Sequence, residues 1–546
     1  MPYSSNRTPF DYEPVMRSPR AKDLWDSEAV ETHAAGAENF DSQAIESQAL
    51  EFSSHASPSF NNQFDKQSLD SQSTDTENRR APVDVQGNEE QEFVHSPSAS
   101  NRRAAKRETW IERRGHALSF AGLLLFTFVL YFRPYELFPA LAGLSSMAFW
   151  IALFTLAVFL PTQLSIEGNL TARPREVNLV LLLCLAAFLS IPLAMNRGES
   201  LDAFRDFMRP VLMFIVLVNV VRSEKRLRLL LYLTLAVGCV LGLGAISDYR
   251  QGNFTVEGYR VAGRIGNLFG NPNDMALHLV TVTPIAVALL LSSRRLIAKM
   301  LYAACVVVLV LGNMVTFSRG AFLGLLGVFA VMAWKLGRRN RMFFGAATLV
   351  VLVGFFALAP GTYTDRLGSI LDKSRDQVGS AGARQALLVR SLEVAAQHPL
   401  FGVGMGNFHI VSVHEQVSHN AYTQIAAEMG LAALVFYVLF MVAPLRRLRL
   451  IERETFEKRR ERRDPSSRFY YLSIGLQASL VGYMVSSFFG SVAYQFYIYY
   501  LVGYAICLRR IYAQTDAAKV KAEVKHTQDF GAAEVGQRAL LSSAGN

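Results

Sequence analysis

The chain has 546 residues, 51% of them hydrophobic, yet its formal net charge is +10. From Leu118 onward the apolar residues gather into runs of the roughly 20 residues that a helix needs to cross a bilayer. This pattern excludes an ordinary soluble protein and predicts an all-α polytopic membrane protein.

The N-terminal segment has a different composition. The first hundred residues hold 18 acidic and 7 basic side chains and few aliphatic clusters. Such a segment buries too little apolar surface to offset the entropy lost on ordering. We therefore predict a disordered cytoplasmic tail over residues 1–107. No cleavable signal peptide is expected, because the first apolar run begins more than a hundred residues into the chain.

About twelve transmembrane helices are predicted within a helical body at 116–510, followed by a cytoplasmic C-terminal tail at 511–546. The apolar runs centre on 116–132, 140–160, 177–195, 207–221, 228–247, 275–292, 298–317, 321–336, 342–360, 421–444, 470–489 and 492–508.

Lysine and arginine orient these helices, because short cytoplasmic connections carry an excess of them. With the N-terminus inside, every inner connection is basic, including Arg222–Arg228 and Arg446–Arg468. Both termini are then cytoplasmic. Two long loops, 248–274 and 361–420, lie on the outer face, and long loops tend to carry function.

Two features of the second long loop have a predictable structure. Apolar residues recur at helical spacing over 383–396, which predicts an amphipathic helix at the outer membrane surface. Gly402, Gly404 and Gly406 follow no strand, so they predict a tight turn and not a nucleotide-binding loop. The cysteines, which lack metal-ligand spacing and are interpreted as small buried hydrophobes, are Cys184, Cys239, Cys305 and Cys507.

Arg264 is the first candidate for chemistry in the first long loop. It precedes Gly-Asn-Pro-Asn at 270–273, which leads into a helix whose N-terminal amides can bind an anion. The alternative is a capped loop in which Asn273 or Asp274 is the N-cap and Arg264 reaches the lipid head groups.

Arg319 and Arg384 are further cationic candidates on the outer face. Arg319 lies in a short connection, where a basic residue runs against the usual bias, and Arg384 opens the amphipathic segment. A guanidinium group suits a diphosphate because it donates two parallel hydrogen bonds and stays charged. The alternative for Arg319 is an interfacial anchor.

His419 lies directly before the predicted helix at 421–444. A neutral imidazole can accept a proton from a hydroxyl group, as a general base does, and a helix N-terminus disfavours the cation. The alternative is a capping or interfacial residue. His398 and His414 are weaker candidates on the same loop.

Four motifs together resemble the O-antigen ligase and polymerase superfamily. They are Gly-Asn-Pro-Asn at 270–273, Ser-Arg-Gly at 318–320, the Arg384 segment followed by Pro399-Leu-Phe-Gly-Val-Gly404, and His419-Asn-Ala-Tyr with Glu428-Met-Gly430. The resemblance covers residues 260–445 by motif and the rest of the helical body more loosely.

The resemblance implies a GT-C-type glycosyltransferase in the bacterial inner membrane, acting on the periplasmic face without cofactor, metal or nucleotide. Such enzymes move a glycan from an undecaprenyl-diphosphate carrier to an acceptor hydroxyl. By the resemblance, His419 is the general base of an inverting displacement, and Arg264, Arg319 and Arg384 bind the diphosphate. Arg260 could replace Arg264, and Asn420 is a second weaker candidate.

The sequence leaves several functions open. The acceptor can be lipid A core in a ligase, a growing glycan in a polymerase, or a protein in an O-oligosaccharyltransferase. A twelve-helix secondary transporter is an alternative from another class, although acidic residues for ion coupling are few within the predicted helices. Membrane lipids are expected partners, and nucleic acid is not.

Overall fold

The computed structural model describes residues 110–137, 146–337, 380–462 and 468–517, apart from 257 and 265, with a few isolated positions at 141–143 and 342–354. The predicted tail at 1–107 lies outside the described residues, as do most of the predicted helix at 342–360, the start of the second long loop and most of the tail at 511–546.

Helices make up most of the described chain. In order they are α1 (Trp110–Phe132), α2 (Met147–Glu167), α3 (Arg175–Ser190), α4 (Arg197–Val220), α5 (Glu224–Arg250), α6 (Pro272–Ser292), α7 (Leu296–Met314), α8 (Arg319–Gly337), α9 (Ser380–Gln397), α10 (Ala421–Met429), α11 (Leu431–Arg462), α12 (Arg468–Ser486) and α13 (496–517). Within the described residues, nine helices are long and apolar enough to cross a bilayer. The predicted multi-pass membrane protein is confirmed.

Two predicted helices have different limits in the structure. The span predicted at 140–160 is α2, which lies seven residues further along the chain. The span predicted at 207–221 is only the second half of α4, which begins ten residues earlier because the Asn196 side chain accepts hydrogen bonds from the N–H groups of Gly198 and Glu199. Charged residues fill the first half of α4 and hide it from a hydropathy pattern.

The single helix predicted at 421–444 is wrong, since the structure has two helices there. Gly430 separates α10 from α11 with a φ of 87°, which is outside helical geometry. The N–H of Leu431 donates to the carbonyl of Pro399 at 2.8 Å instead of continuing the helical pattern. A preceding loop segment therefore fills the break.

The centre of the bundle is formed by α6 and α12. The most apolar stretch of α6 is 83% buried and that of α12 is 72% buried, whereas α2 and α7 reach only 22%. Glycines in α1 allow α2 to pack closely, because a Cβ atom on Gly122 would lie 2.3 Å from Thr155 Oγ1. Of the four unpaired cysteines, Cys507 is buried as predicted, and the others are partly exposed.

Buried hydroxyl pairs connect helices that are distant in sequence. Thr127 on α1 pairs with Tyr500 on α13 at 2.8 Å, and Thr234 on α5 pairs with Tyr504 at 2.8 Å. Such pairs satisfy polar groups that would be costly in an apolar core. The first described helix therefore packs directly on the last one.

Ion pairs between helices that are distant in sequence join one end of the bundle, which we call the basic end. Glu167 contacts Arg222 at 2.5 Å and Arg510 at 3.6 Å, and Arg509 pairs with Glu176 at 3.1 Å. From residue 496 to Arg509, α13 rises roughly 20 Å. The start of α13 and the turn before it lie at the opposite end, which we call the His419 end.

Candidate active site

The Gly-Asn-Pro-Asn turn caps α6 at the His419 end. Asn271 is the N-cap, since its Oδ1 accepts from the N–H of Asn273 at 2.8 Å, and Pro272 takes the first helical position, where its lack of an N–H costs nothing. The alternative in which Asn273 or Asp274 is the N-cap is therefore wrong.

Asn273 joins this turn to the Ser-Arg-Gly motif. Its Oδ1 accepts from Ser318 Oγ and from Arg260 Nη2, both at 2.9 Å. Arg260 also donates from Nε to the carbonyl of Thr316 at 3.0 Å and is only 3% exposed. Arg260, the weaker candidate, is thus a buried brace between the two motifs.

Arg264 is exposed and pairs with Asp248 at the end of α5. Arg264 Nε lies 3.1 Å from Asp248 Oδ2, and Nη2 lies 2.5 Å from Oδ1. This bidentate contact raises the pKa of Arg264 above its usual value. Among the described residues, Arg264 therefore pairs with Asp248 of α5, whereas Arg260 contacts the Gly-Asn-Pro-Asn turn.

Arg319 is the first residue of α8, at the His419 end. The turn before it is strained, because Phe317 has a φ of 53°. The start of α8 lies against the segment after α12, where a Cβ atom on Gly320 would come within 2.6 Å of Phe489 Cβ. Only glycine permits this approach, which places Arg319 beside the turn at 487–491.

His419 also has an unusual backbone, with a φ of 51° that side-chain-bearing residues seldom adopt. Its N–H donates to Ser491 Oγ at 2.9 Å. The next residue, Asn420, caps α10 by accepting from the N–H groups of Tyr422 and Thr423 at 2.9 and 3.2 Å. Asn420 is thus a positioning cap for the segment that carries His419.

Burial and then the positive charge of Arg384 lower the pKa of His419 to about 4. The imidazole is therefore neutral at pH 7 and keeps a lone pair for a proton. The effect of Arg384 also shows that its guanidinium lies within electrostatic range of His419. Since the turn at 487–491 contacts both Gly320 and His419, the structure brings Arg319, Arg384 and His419 to one rim.

Helix α9 confirms the helix predicted at 383–396. Part of its apolar face is buried in protein, since Leu387 and Val394 belong to a cluster with Val403, Phe408 and Ala427. This packing fixes α9 against α10 and so holds Arg384 near His419.

The predicted tight turn after α9 is confirmed. Gly402, Gly404 and Gly406 have φ values of 66°, 101° and 78°. A Cβ atom on Gly402 would lie 2.2 Å from the carbonyl carbon of Glu428, so the turn packs directly on the end of α10. The weaker candidate His398 is exposed in this turn, and the side chain of His414 lies outside the described part.

Glu428 is a buried carboxylate to which sequence reasoning gave no role. It accepts from Tyr494 Oη at 2.6 Å, from the N–H of Gly406 at 2.9 Å and from Gln424 Nε2 at 3.4 Å. Burial raises its pKa above the usual value. It ties α10, the glycine turn and the segment leading into α13 together. The sequence signal that could have identified Glu428 was its position as the only acidic residue of α10.

Comparison with known families now gives the class of protein. Residues 303–438 match the family model described as O-antigen ligase, which is about a quarter of the chain. The predicted resemblance to the O-antigen ligase-related superfamily is thereby confirmed over these residues, within a multi-pass membrane protein. The match contains Arg319, Arg384 and His419, while Arg260 and Arg264 precede it. Comparison with curated proteins finds no matching relative.

Proposed function

We propose that the protein is a GT-C-type membrane glycosyltransferase that moves a glycan from an undecaprenyl-diphosphate carrier to an acceptor hydroxyl, as an O-antigen ligase or a surface polysaccharide polymerase. The observation that carries the proposal is the neutral His419 imidazole at a rim shared with Arg319 and Arg384. With the basic end in the cytoplasm, this rim faces the periplasm of a bacterial inner membrane.

The reaction is an inverting displacement. The acceptor oxygen attacks the anomeric carbon while its proton passes to His419, and the bond from that carbon to the diphosphate oxygen breaks. The diphosphate leaves with the electron pair, and Arg319 and Arg384 stabilise its charge through paired hydrogen bonds. Arg264 is a third cation for the diphosphate once it exchanges Asp248 for the donor. In this scheme arginines supply the positive charge that a metal ion supplies in other transferases.

Donor binding strengthens the base. Arg384 is one cause of the low pKa of His419, and a bound diphosphate compensates the charge of Arg384. The pKa of His419 then rises towards the working pH, where general-base catalysis is most efficient. The site therefore activates the acceptor more strongly once the donor is in place.

The first test is His419→Asn. Asparagine tolerates a positive φ, so the backbone is kept while the base is removed. We expect transfer from a purified lipid-linked donor to fall at least about a hundredfold, with unchanged thermal unfolding. His398→Asn, at an exposed histidine of the same loop, is the matched control. Wild-type transfer by His419→Asn would rule out His419 as the base.

A second test addresses the diphosphate site. Arg319→Lys and Arg384→Lys keep the charge but lose the planar fork, and we expect a large fall in transfer with a raised KM for the donor. Arg250→Lys, at an exposed arginine of α5, should leave the transfer rate and the KM for the donor unchanged. If lysine serves freely at Arg264, Arg319 and Arg384, bidentate diphosphate binding is the wrong model.

The acceptor is identified by the glycans of a deletion strain. Lipopolysaccharide without long chains, with lipid-linked polymer accumulating, indicates a ligase, whereas single-unit caps indicate a polymerase. Glycan lost from proteins indicates the O-oligosaccharyltransferase alternative. Formation of a glycosidic product by the reconstituted protein would exclude the secondary transporter.

A further inference from the structure

A cavity of about 860 Å³ lies between α1, α2 and α4, outside the candidate active site. Most of its wall is apolar, with Phe126 on α1, Leu153 and Leu156 on α2, and Met213 on α4. This volume is within the usual range for ligand sites. The cavity is therefore large enough for a hydrocarbon chain.

The cavity lies beyond the end at which α2 and α4 are joined. At the basic end Glu167 pairs with Arg222, and Asn219 on α4 accepts from the N–H of Ala172, just after α2, at 2.9 Å. Along its length α2 packs on α1, with Thr162 and Thr155 against Gly115 and Gly122, and it contacts α4 little. The outer part of α2 also exposes Phe149 and Leu153 by 58% and 47%, so the cavity opens sideways towards lipid.

Three arginines line the same cavity: Arg133, Arg205 and Arg209. Each also pairs with an acid three residues away, at 2.6, 2.8 and 2.9 Å. A guanidinium group has five N–H donors, so one carboxylate contact leaves others for a ligand. Among the described residues, the buried Nε of Arg133 has no hydrogen-bond partner.

Arg133 and Arg209 both lie at the ends of apolar runs. Arg133 directly follows the apolar run of α1, and Arg209 directly precedes the apolar run that begins at Pro210 on α4. Arg133 is held there with a φ of 38°, a conformation that is costly for a non-glycine residue. The cations therefore lie at the boundary between apolar and polar surface, where lipid phosphates lie.

A smaller chamber of about 220 Å³ continues from the cavity. It shares Arg133, Arg209 and Phe496 with the larger one and reaches Leu268 and Tyr494. Tyr494 is the residue whose hydroxyl binds Glu428. A polar head group bound by the arginines would thus lie beside Tyr494, which supports α10 through Glu428.

We propose that this cavity binds an anionic phospholipid from the leaflet at the His419 end. Its phosphate accepts hydrogen bonds from Arg133 and Arg209, and an acyl chain runs along Leu153 and Leu156 on α2. A leaflet lipid fits because its phosphate lies at the interface and its chain points towards the bilayer centre, as the cavity does. This site is separate from the glycosyl transfer proposed above.

The test is lipid retention by the purified full-length protein, followed by native mass spectrometry. The probes are phosphatidylglycerol, zwitterionic phosphatidylcholine and a polyprenyl monophosphate. We expect phosphatidylglycerol to be retained over phosphatidylcholine, and Arg133→Gln and Arg209→Gln each to weaken retention about tenfold or more. Arg197→Gln, an exposed arginine of α4 outside the cavity, should change nothing.

A second variant tests the apolar part of the site without changing charge. Leu153→Trp places a larger side chain on an exposed position of the wall, so it should displace the lipid while the protein keeps its thermal unfolding temperature. Equal retention of both phospholipids, or retention that none of these substitutions alters, would overturn the proposal. Preferential retention of the polyprenyl monophosphate would overturn it too, by assigning the cavity to the donor chain.

Discussion

His419 combines two features that bear on pH. Its imidazole must be neutral to accept a proton, and burial together with Arg384 lowers its pKa to about 4. Activity governed by this group is present above the pKa and is lost as the pH falls through it. We therefore predict that kcat/KM for the donor stays level well below pH 6.5, the usual pKa of histidine.

Removing the Arg384 charge should change the pH below which kcat/KM falls. Arg384→Gln raises the pKa of His419, so the acid limb of the residual kcat/KM profile should shift to higher pH. Arg390→Gln, six residues further along α9, is the control. An acid limb at the same pH in Arg384→Gln and wild type would show that Arg384 does not act on His419.

For single residues, the sequence identified the candidate site residues better than the residues that contact them. His419, Arg319 and Arg384 could be selected because cations and a lone histidine are unusual at the ends of apolar runs. Ser491, Tyr494 and Asp248 could not be assigned, because their contacts join positions that are distant in sequence. The same limit applies to Arg260, whose brace with Thr316 depends on how two loops pack.

Among the elements, the break between α10 and α11 is the most informative. A Cβ atom at Gly430 would lie 2.3 Å from the carbonyl oxygen of Leu400, on a backbone with a φ of 87°. We predict that Gly430→Ala lowers the free energy of unfolding by about 2 to 5 kcal/mol, from backbone strain and overpacking. Thermal unfolding in detergent measures this, and Gly244→Ala, which faces open space, should be tolerated.

The hydrogen bonds of Glu428 give a second prediction for these elements. Glu428→Ala leaves buried donors unpaired, and we expect a loss of about 3 kcal/mol of stability; Tyr494→Phe removes one of the bonds and should cost about 2 kcal/mol. Glu454→Ala, at an exposed position on α11, should have almost no effect. Equal unfolding temperatures for Glu428→Ala and Glu454→Ala would show that the hydrogen bonds of Glu428 do not stabilise the fold.

Apolar periodicity predicted most helices but failed where the signal was mixed. The charged first half of α4 reads as a loop in a hydropathy pattern, although Asn196 caps a continuous helix. The break at Gly430 was hidden because glycine is common in membrane helices and the inserted carbonyls come from the preceding loop. Both errors arise from tertiary contacts that no local pattern contains.

The topology of the whole molecule can be tested by cysteine labelling. In a background with the native cysteines replaced by alanine, we predict that Gln416→Cys reacts with a membrane-impermeant maleimide in cells whose outer membrane is permeabilised. Arg453→Cys, exposed on the far part of α11, should react only after lysis. The reverse pattern would place His419 in the cytoplasm and remove the periplasmic reaction.

The contact between the first and last described helices has a consequence for biosynthesis. Tyr500 pairs with Thr127 across a separation of 373 residues, and the segment leading into α13 supplies Ser491 to His419 and Tyr494 to Glu428. Helices leave the ribosome in order, so the rim that carries His419 lacks the contacts of Ser491 and Tyr494 until the segment leading into α13 is made. We therefore expect a nascent chain to lack the proposed transfer activity until α13 packs on α1.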